Sequence, residues 1–368
     1  MTTRWTREID WMLLGATALL VAFGFIALVS AVHGASDASA FLRTRVLHLG
    51  VGVIALVVAT LIDYRRLAGA AQVIYVGALL LLAGVLVVGE TRLGAQRWIM
   101  LGPFGGFQPS ELAKLAIIVT LARHLDTVKA LPRMRSLFPF FAHVALPMVL
   151  IMRQPDLGTA LVLLAVLAAM LYVGGARAAD LGGIAAAGAV IMPFAWGVLH
   201  DYQRRRLIAF LDPGADPLGA GYALIQSKIA IGSGQLTGKG LFAGTQNLLR
   251  FIPEQHTDFI FTVIGEELGF IGSLVLLTLY AVWIWRALKI AATAGDRVGA
   301  LMATGIVAMM VFHVVVNIGM TVGLMPVTGI PLPLMSYGGS SLLTTLAGTG
   351  LLLSICLRRR SGYWSRQV

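Results

Sequence analysis

"PEQHTDFIFTVIGEELG", residues 253 to 269, sets Asp258, Glu266 and Glu267 around the apolar run "FIFTVIG". The rest of the chain decides how that run is read. Hydrophobic residues make up 58% of it and charged residues 12%, with a mean hydropathy of +0.85, against about 45–50% apolar and about 25% charged in soluble domains. The run is therefore the start of a membrane span, and the fold class is an all-α polytopic membrane protein. At about 20 apolar residues per crossing, the candidate spans lie near 12–32, 46–62, 70–89, 110–125, 138–152, 157–174, 181–199, 258–285, 299–324 and 341–357. A single domain over 1–368 is expected, with a long extramembrane loop at 200–257.

The first span is too long for the roughly 7–15-residue apolar core of a signal peptide, although Ala38-Ser39-Ala40 resembles a cleavage site, so it reads as a retained helix. Cys356 is the only cysteine, which excludes an intrachain disulfide. The net charge of +11 is scattered through loops and not gathered on one surface, so it speaks for membrane orientation and against nucleic-acid binding. With the amino terminus in the cytoplasm, the inside segments collect Arg4, Arg7, Arg65, Arg66, Arg123, Lys129, Arg133, Arg135, Arg177, Arg286, Lys289, Arg297, Arg358 to Arg360 and Arg366. The short outside loops hold only Arg43, Arg45, Arg92, Arg97 and Arg153. The long loop adds Arg204 to Arg206, Lys228, Lys239 and Arg250 but weighs little in the positive-inside rule, so both termini are expected in the cytoplasm.

On that topology, the spans starting at 110, 157, 258 and 341 all begin at the outer face, and each start is polar: "QPSELAKL" (108–115), "QPDLGTAL" (154–161), "HTDFIF" (256–261) and "PLMSYGGSS" (333–341). Ser110 and Asp156 suit helix caps as well as a site. Glu111 and Lys114 fall on one face inside a span, where charges pair or face a cavity; a structural salt bridge and a polar wall of an active cavity both satisfy that. Thr257 or Asp258 could cap the eighth span, but a cap does not call for Glu254, His256, Glu266 and Glu267 nearby. Helical spacing would align Asp258, Thr262 and Glu266 on one face, with Glu266 two turns deeper, and would turn Glu267 toward a neighbouring helix or a basic group.

"GSGQLTGKG" (232–240) fails the phosphate-loop pattern, with three residues between Gly234 and Gly238 and Gly240 after Lys239. "RRRLIAFLD" (204–212) and "YALIQSKIAI" (222–231) have amphipathic spacing and suit the interface with membrane lipids. Arg204, Arg205 and Arg206 can grip a phosphate there or snorkel to lipid headgroups. His33, His48, His124, His143, His200 and His313 are isolated and show no metal-ligand spacing. Acids at one membrane face suggest chemistry or transport on a lipid-borne substrate.

The unbroken stretch "NIGMTVGLMPVTGIPLPLMSYGGSS" (317–341), with "GAQRWI" (94–99), "FQPSELAKL" (107–115), "LDPGADPLGAGYALIQSKIAIGSG" (211–234) and "PEQHTDFIF…GEELG", resembles the SEDS family (shape, elongation, division and sporulation), typified by RodA and FtsW, over nearly the whole chain. "DPLGAGY", "QSKIAIGSG" and "GTQ" are most similar to the RodA branch of cell elongation. The resemblance implies a ten-helix SEDS fold in the bacterial cytoplasmic (inner) membrane, a long extracytoplasmic loop between helices 7 and 8, and polymerisation of lipid II at the outer face. It puts the essential aspartate at Asp258 and sensitive positions at Glu111, Lys114 and Asp156. Glu254, His256, Thr257, Arg204, Arg205, Ser336, Tyr337 and Ser340 are the further residues expected to bind substrate or support the site. It leaves a role for Arg45 in doubt. The leaving diphosphate calls for positive charge from Lys114, the Arg204–Arg206 run or a divalent cation (Mg2+ or Mn2+) held by Asp156 and Glu111. A class B penicillin-binding transpeptidase and MreB, MreC and MreD are the implied partners. A lipid II flippase or transporter is the alternative, and a scaffold without activity a third reading.

Overall fold

The computed structural model describes residues 8–359 except 34–36, 93–94, 101, 103–104, 129–130, 132–133, 192–196, 198–200, 217–218, 220 and 250. Arg4, Arg7, Lys129, Arg133, His200, Arg250, Arg360, Arg366 and the side chain of Arg92, all used in the sequence reading, lie outside the described residues.

Every expected span holds a helix. In chain order these are α1 (Trp11–Ala31), α2 (Ala38–Leu61), the short α3 (Tyr64–Gly69), α4 (Ala71–Val88), α5 (Pro109–Asp126), α6 (Phe138–Arg153), α7 (Leu157–Val173) and α8 (Ala178–Ile191). In the long loop come α9 (Asp201–Leu211), α10 (Tyr222–Ser233) and α11 (Thr245–Leu248), followed by α12 (Ile260–Glu267), α13 (Gly269–Ala292), α14 (Arg297–Thr321) and α15 (Gly339–Arg358). Among the described residues seven helices are long and apolar enough to cross a membrane, and α7 and α8 are shorter apolar ones. The polar α5 completes the set.

The centre is built from α5, α7, α14 and α15. In the apolar windows of α15 and α14, 83% and 61% of residues are buried, against 11% for α2 and 22% for α4. The outer helices present Val73, Leu80, Val87 and Val88 outward, as a lipid-facing surface should, since lipid gives apolar side chains no reason to turn inward. At the end away from the polar loops, ion pairs fasten helix termini together: Arg286 to Asp10 at 2.6 Å and Arg65 to Asp296 at 2.7 Å. Arg297 donates there to the Val128 and Gly174 carbonyls.

Two features depart from the sequence reading. A small antiparallel sheet, β1 (Glu90–Arg92), β2 (Ala95–Met100) and β3 (Gly106–Phe107), fills the connection from α4 to α5, where no strand was expected. The span expected at 258–285 is two helices, broken at Leu268 and Gly269. Gly269 has φ +63°, and a side-chain carbon on it would stand 2.3 Å from the Gly238 nitrogen, so the packing of the 234–240 turn fixes the break. The 24 residues of α13 alone reach about 36 Å, more than the roughly 30 Å of a hydrocarbon core. The preceding α12 therefore sits at one end of the bundle and not deep within it. Ser30, one residue from the end of α1, donates to Glu267 at 2.6 Å, which puts both glutamates at that end too.

Candidate active site

The polar loops converge at the end where α12 lies, and their hub is 323–338. A buried loop must satisfy its backbone from outside, and here every carbonyl from 330 to 336 has a donor. Asn317 serves Ile330 at 2.8 Å, His313 serves Pro331 at 3.1 Å and Tyr280 serves Pro333 at 2.5 Å. The Leu332 carbonyl accepts from the Met335 and Ser336 amides. Arg45 reaches the other three: Nη1 to Ser336 O at 2.6 Å, and Nη2 to Leu334 O at 2.9 Å and Met335 O at 3.3 Å. Arg45 is 1% exposed and lies inside α2, where it clamps this loop. Arginine suits this because its planar fork offers several donors at fixed angles.

Asp258 stands in the turn before α12, so the face expected to align Asp258, Thr262 and Glu266 does not form. Its amide donates to Glu254 O at 3.1 Å, and its carbonyl accepts from Asn317 at 2.9 Å. Asn317 thus ties Asp258 and Ile330 to one point on α14. The half-buried carboxylate accepts no hydrogen bond among the described residues. It faces Arg206 across Gly329: a first side-chain carbon on Gly329 (φ +77°) would lie 3.2 Å from Arg206 Nη1 and 3.4 Å from Asp258 Oδ2. Burial pushes the Asp258 carboxyl up to about 6; Glu254 and Asp156 add to the rise, and Arg206 and Arg97 oppose it.

The remaining expected residues divide by what they touch. Glu254, with φ +51°, and Thr257 shape the turn, Thr257 Oγ1 donating to Glu254 O at 3.0 Å. His256 packs edge-on against Phe41 and Tyr337, with centroids 5.0 and 5.6 Å away, and its carbonyl accepts from the Tyr337 amide. Burial lowers its pKa, with Glu254 opposing, so the ring is a neutral spacer between α2 and the 336–338 turn. Ser336 Oγ is spent on the Leu332 amide at 2.8 Å, and Ser340 Oγ accepts from the Gln108 amide at 2.9 Å, capping α5 from another helix. Arg204 turns to Gly197 and Asp201, and Arg205 is exposed. Of that run, Arg206 is the member at the site, and the sequence reading had ranked the other two ahead of it.

Asp156 caps α7 through Thr159 at 3.1 and 2.9 Å and also accepts from Gln108 Nε2 at 3.1 Å. Ser110 caps no helix, and its buried oxygen has no hydrogen-bond partner among the described residues. Lys114 and Glu111 form an ion pair at 2.7 Å, 1% and 4% exposed, and the same two side chains line a small cavity. The cavity beside it, about 10 Å3, has room for about one water and none for a phosphate. Lys114 is thus held in an ion pair beside a cavity of about one water's size. Of the two carboxylates expected to hold a cation, Asp156 is engaged in a helix cap and Glu111 in the ion pair with Lys114. Among the described residues no three His, Cys, Asp or Glu side chains gather as metal ligands.

Glu266 and Glu267 hold the 239–247 loop. Glu266 accepts from Lys239 at 2.7 Å and from the amides of Gln246 and Asn247; Glu267 accepts from Ser30, Asn247 and the Phe242 amide. The neighbouring-helix expectation for Glu267 is met by α1. Arg97, which sequence reasoning passed over, donates from β2 to the Gln154 carbonyl at 2.7 Å and to that of Pro155. Its motif "GAQRWI" was visible, but nothing local showed what an arginine in a short strand would reach.

The class these features define is a polytopic helical membrane protein with a half-buried carboxylate, unspent among the described residues, that faces an arginine at the mouth of the bundle. The chain belongs to the SEDS family: the family model described as "Cell cycle protein", covering FtsW, RodA and SpoVE, matches residues 10–361. It is similar to the peptidoglycan glycosyltransferase MrdB of Escherichia coli K12, 42% identical over 95% of this chain and 93% of the relative. To the RodA peptidoglycan glycosyltransferase of Treponema pallidum it is 34% identical, over 98% and 100% of the two chains. Among solved structures it resembles a chain from a study of polymerization and crosslinking by a peptidoglycan synthase complex (TM-score 0.79, 38% identity, 97% and 99% covered). It also resembles the rod shape determining protein RodA of Thermus thermophilus (TM-score 0.71, 34% identity, 96% and 98% covered).

Proposed function

We propose that this chain is a peptidoglycan glycosyltransferase that polymerises lipid II into β-1,4-linked glycan during cell elongation. The observation that carries the reading is the Asp258 carboxylate, engaged by no hydrogen bond among the described residues and turned to Arg206 across Gly329. The acceptor's 4-hydroxyl must lose its proton as it attacks the donor's anomeric carbon, and a carboxylate within reach can take it. A carboxyl near 6 is ionised at neutral pH yet binds a proton far better than an ordinary aspartate near 3.9. The α-linked diphosphate leaves as a β link forms, so one inverting displacement with one base is sufficient. Arg206 is assigned to the charge developing on the diphosphate, with Arg97 adding positive potential behind it.

The site is assigned to the outer face of the cytoplasmic membrane and both termini to the cytoplasm, because the described basic residues of the short connections favour the opposite end and the long loop weighs little in the positive-inside rule. A class B penicillin-binding transpeptidase is the proposed partner; the similarity to a chain from a complex that couples polymerization to crosslinking supports it. Association with MreB, MreC and MreD is proposed for the same cell-elongation setting. The test is polymerisation of labelled lipid II by the purified protein in liposomes, with and without the transpeptidase and with and without chelator. Asp258→Asn should accumulate normally and make no glycan; glycan from that variant would remove the base assignment. Movement of lipid II across the bilayer without polymer would favour the flippase reading.

A further inference from the structure

Two side chains on one face of α14, a turn apart, grip successive carbonyls of the loop beside Asp258: Asn317 holds Ile330 and His313 holds Pro331. Asn317 also holds the Asp258 carbonyl. The other ring nitrogen of His313, Nε2, is 2.9 Å from Lys114 Nζ. An ammonium has donors only, so Nε2 accepts, the ring is neutral, and its proton sits on Nδ1 and points at the Pro331 oxygen. A continuous chain then runs from Glu111 through Lys114 and His313 to Pro331, two residues from the glycine that separates Asp258 from Arg206. Glu111, Lys114 and His313 are all nearly inaccessible, so substrate does not touch them.

We infer that His313 is a positioning residue: it transfers the location of the buried Lys114–Glu111 pair to the Pro331 carbonyl and so holds Gly329 and Ile330 in register with Asp258. Local displacement of about 1 Å can cost on the order of a hundredfold in rate, which is why a residue that never meets substrate can govern turnover. A glutamine can imitate the chain, its carbonyl accepting from Lys114 and its amide donating to Pro331; a leucine fills the space and does neither.

The inference rests on the glycosyltransferase reading, and the experiment separates the two. Lipid II polymerisation by the full-length protein in liposomes is compared for wild type, His313→Gln and His313→Leu. His313→Leu is expected to lose about tenfold or more in kcat with KM within about twofold, while His313→Gln keeps at least about a third of kcat. In a Lys114→Met background the leucine change should cost little more, since two links of one chain do not add. Wild-type kcat in the leucine variant, or equal losses for leucine and glutamine, overturns the inference. A wild type that makes no polymer removes the glycosyltransferase reading instead, and hydrogen exchange then decides: amides of 332–337 should exchange faster in the leucine variant than in the glutamine one, and equal rates overturn the positioning role.

Discussion

The carboxyl of Asp258, pushed up to about 6 by burial, makes the pH dependence of polymerisation a direct reading of the site. A raised carboxyl is protonated below its pKa, and a protonated base cannot act. The working fraction is therefore about 0.9 at pH 7, one half at about pH 6 and about 0.1 at pH 5, so kcat/KM should fall roughly tenfold from neutrality to about pH 5. The groups that move this pKa have opposite signs and are separate residues. Arg206 opposes the rise, so Arg206→Gln should carry the acid limb to higher pH; Glu254 adds to it, so Glu254→Gln should carry the limb to lower pH. Initial rates of glycan formation in liposomes buffered between about pH 4.5 and about 8.5 measure all three profiles. Because an Arg206 variant also loses charge opposite the diphosphate, its plateau should drop as well, and only the limb position bears on the electrostatics. A wild-type profile flat through pH 5, or limbs moving the same way in both variants, would refute the assignment of Asp258 as the base.

Three further outcomes are expected. Gly329→Ala puts a methyl 3.2 Å from Arg206 and 3.4 Å from Asp258 at the cost of about 1–2 kcal/mol of left-handed backbone strain, so polymerisation should be lost while the thermal midpoint moves only a few degrees. Arg45→Met strands the three carbonyls of 334–336, each costing roughly 1–3 kcal/mol when buried unpaired, and thermal unfolding in detergent should show a large drop that Arg45→Lys repairs only in part. Glu266→Gln weakens the grip on Lys239 and the 246–247 amides, and limited proteolysis should cut the 239–249 segment faster than in wild type. Cleavage at an unchanged rate would mean that other contacts hold that loop.

The positions of the helices were legible because each is a local pattern: an apolar run of the right length, a Gln-Pro start, a polar cluster at one end. The acid at 258 was legible for the same reason. The break between α12 and α13 was not, since the apolar pattern runs on through Leu268 and a glycine within a helix is only a weak break signal; what breaks it is the 234–240 turn, thirty or so residues upstream and brought close by the fold. Arg45 was illegible for a stronger reason. Its three partners lie about 290 residues away and are backbone oxygens, which carry no residue identity. The same holds for His313, isolated in sequence and central in space, and for Arg206, which differs from its identical neighbours in the run only in the direction the helix turns it.

The division of polar groups into spent and unspent narrows the chemistry further than the list of acids and bases did. Lys114, Glu111, Asp156, Ser336 and Ser340 each have their polar group committed to an ion pair, a cap or an amide, and withdrawing any of them leaves a buried donor or acceptor unpaired at roughly 1–3 kcal/mol. Asp258 carries the opposite arrangement: Asn317 and Glu254 hold its backbone from two sides, while its carboxylate has no such commitment among the described residues. Fixing the main chain and leaving the side-chain oxygens to the substrate is what a pre-organised base requires. It also explains why so much of this bundle's scarce polarity is spent on the carbonyls of 330–336, because that loop forms the wall against which Asp258 is set.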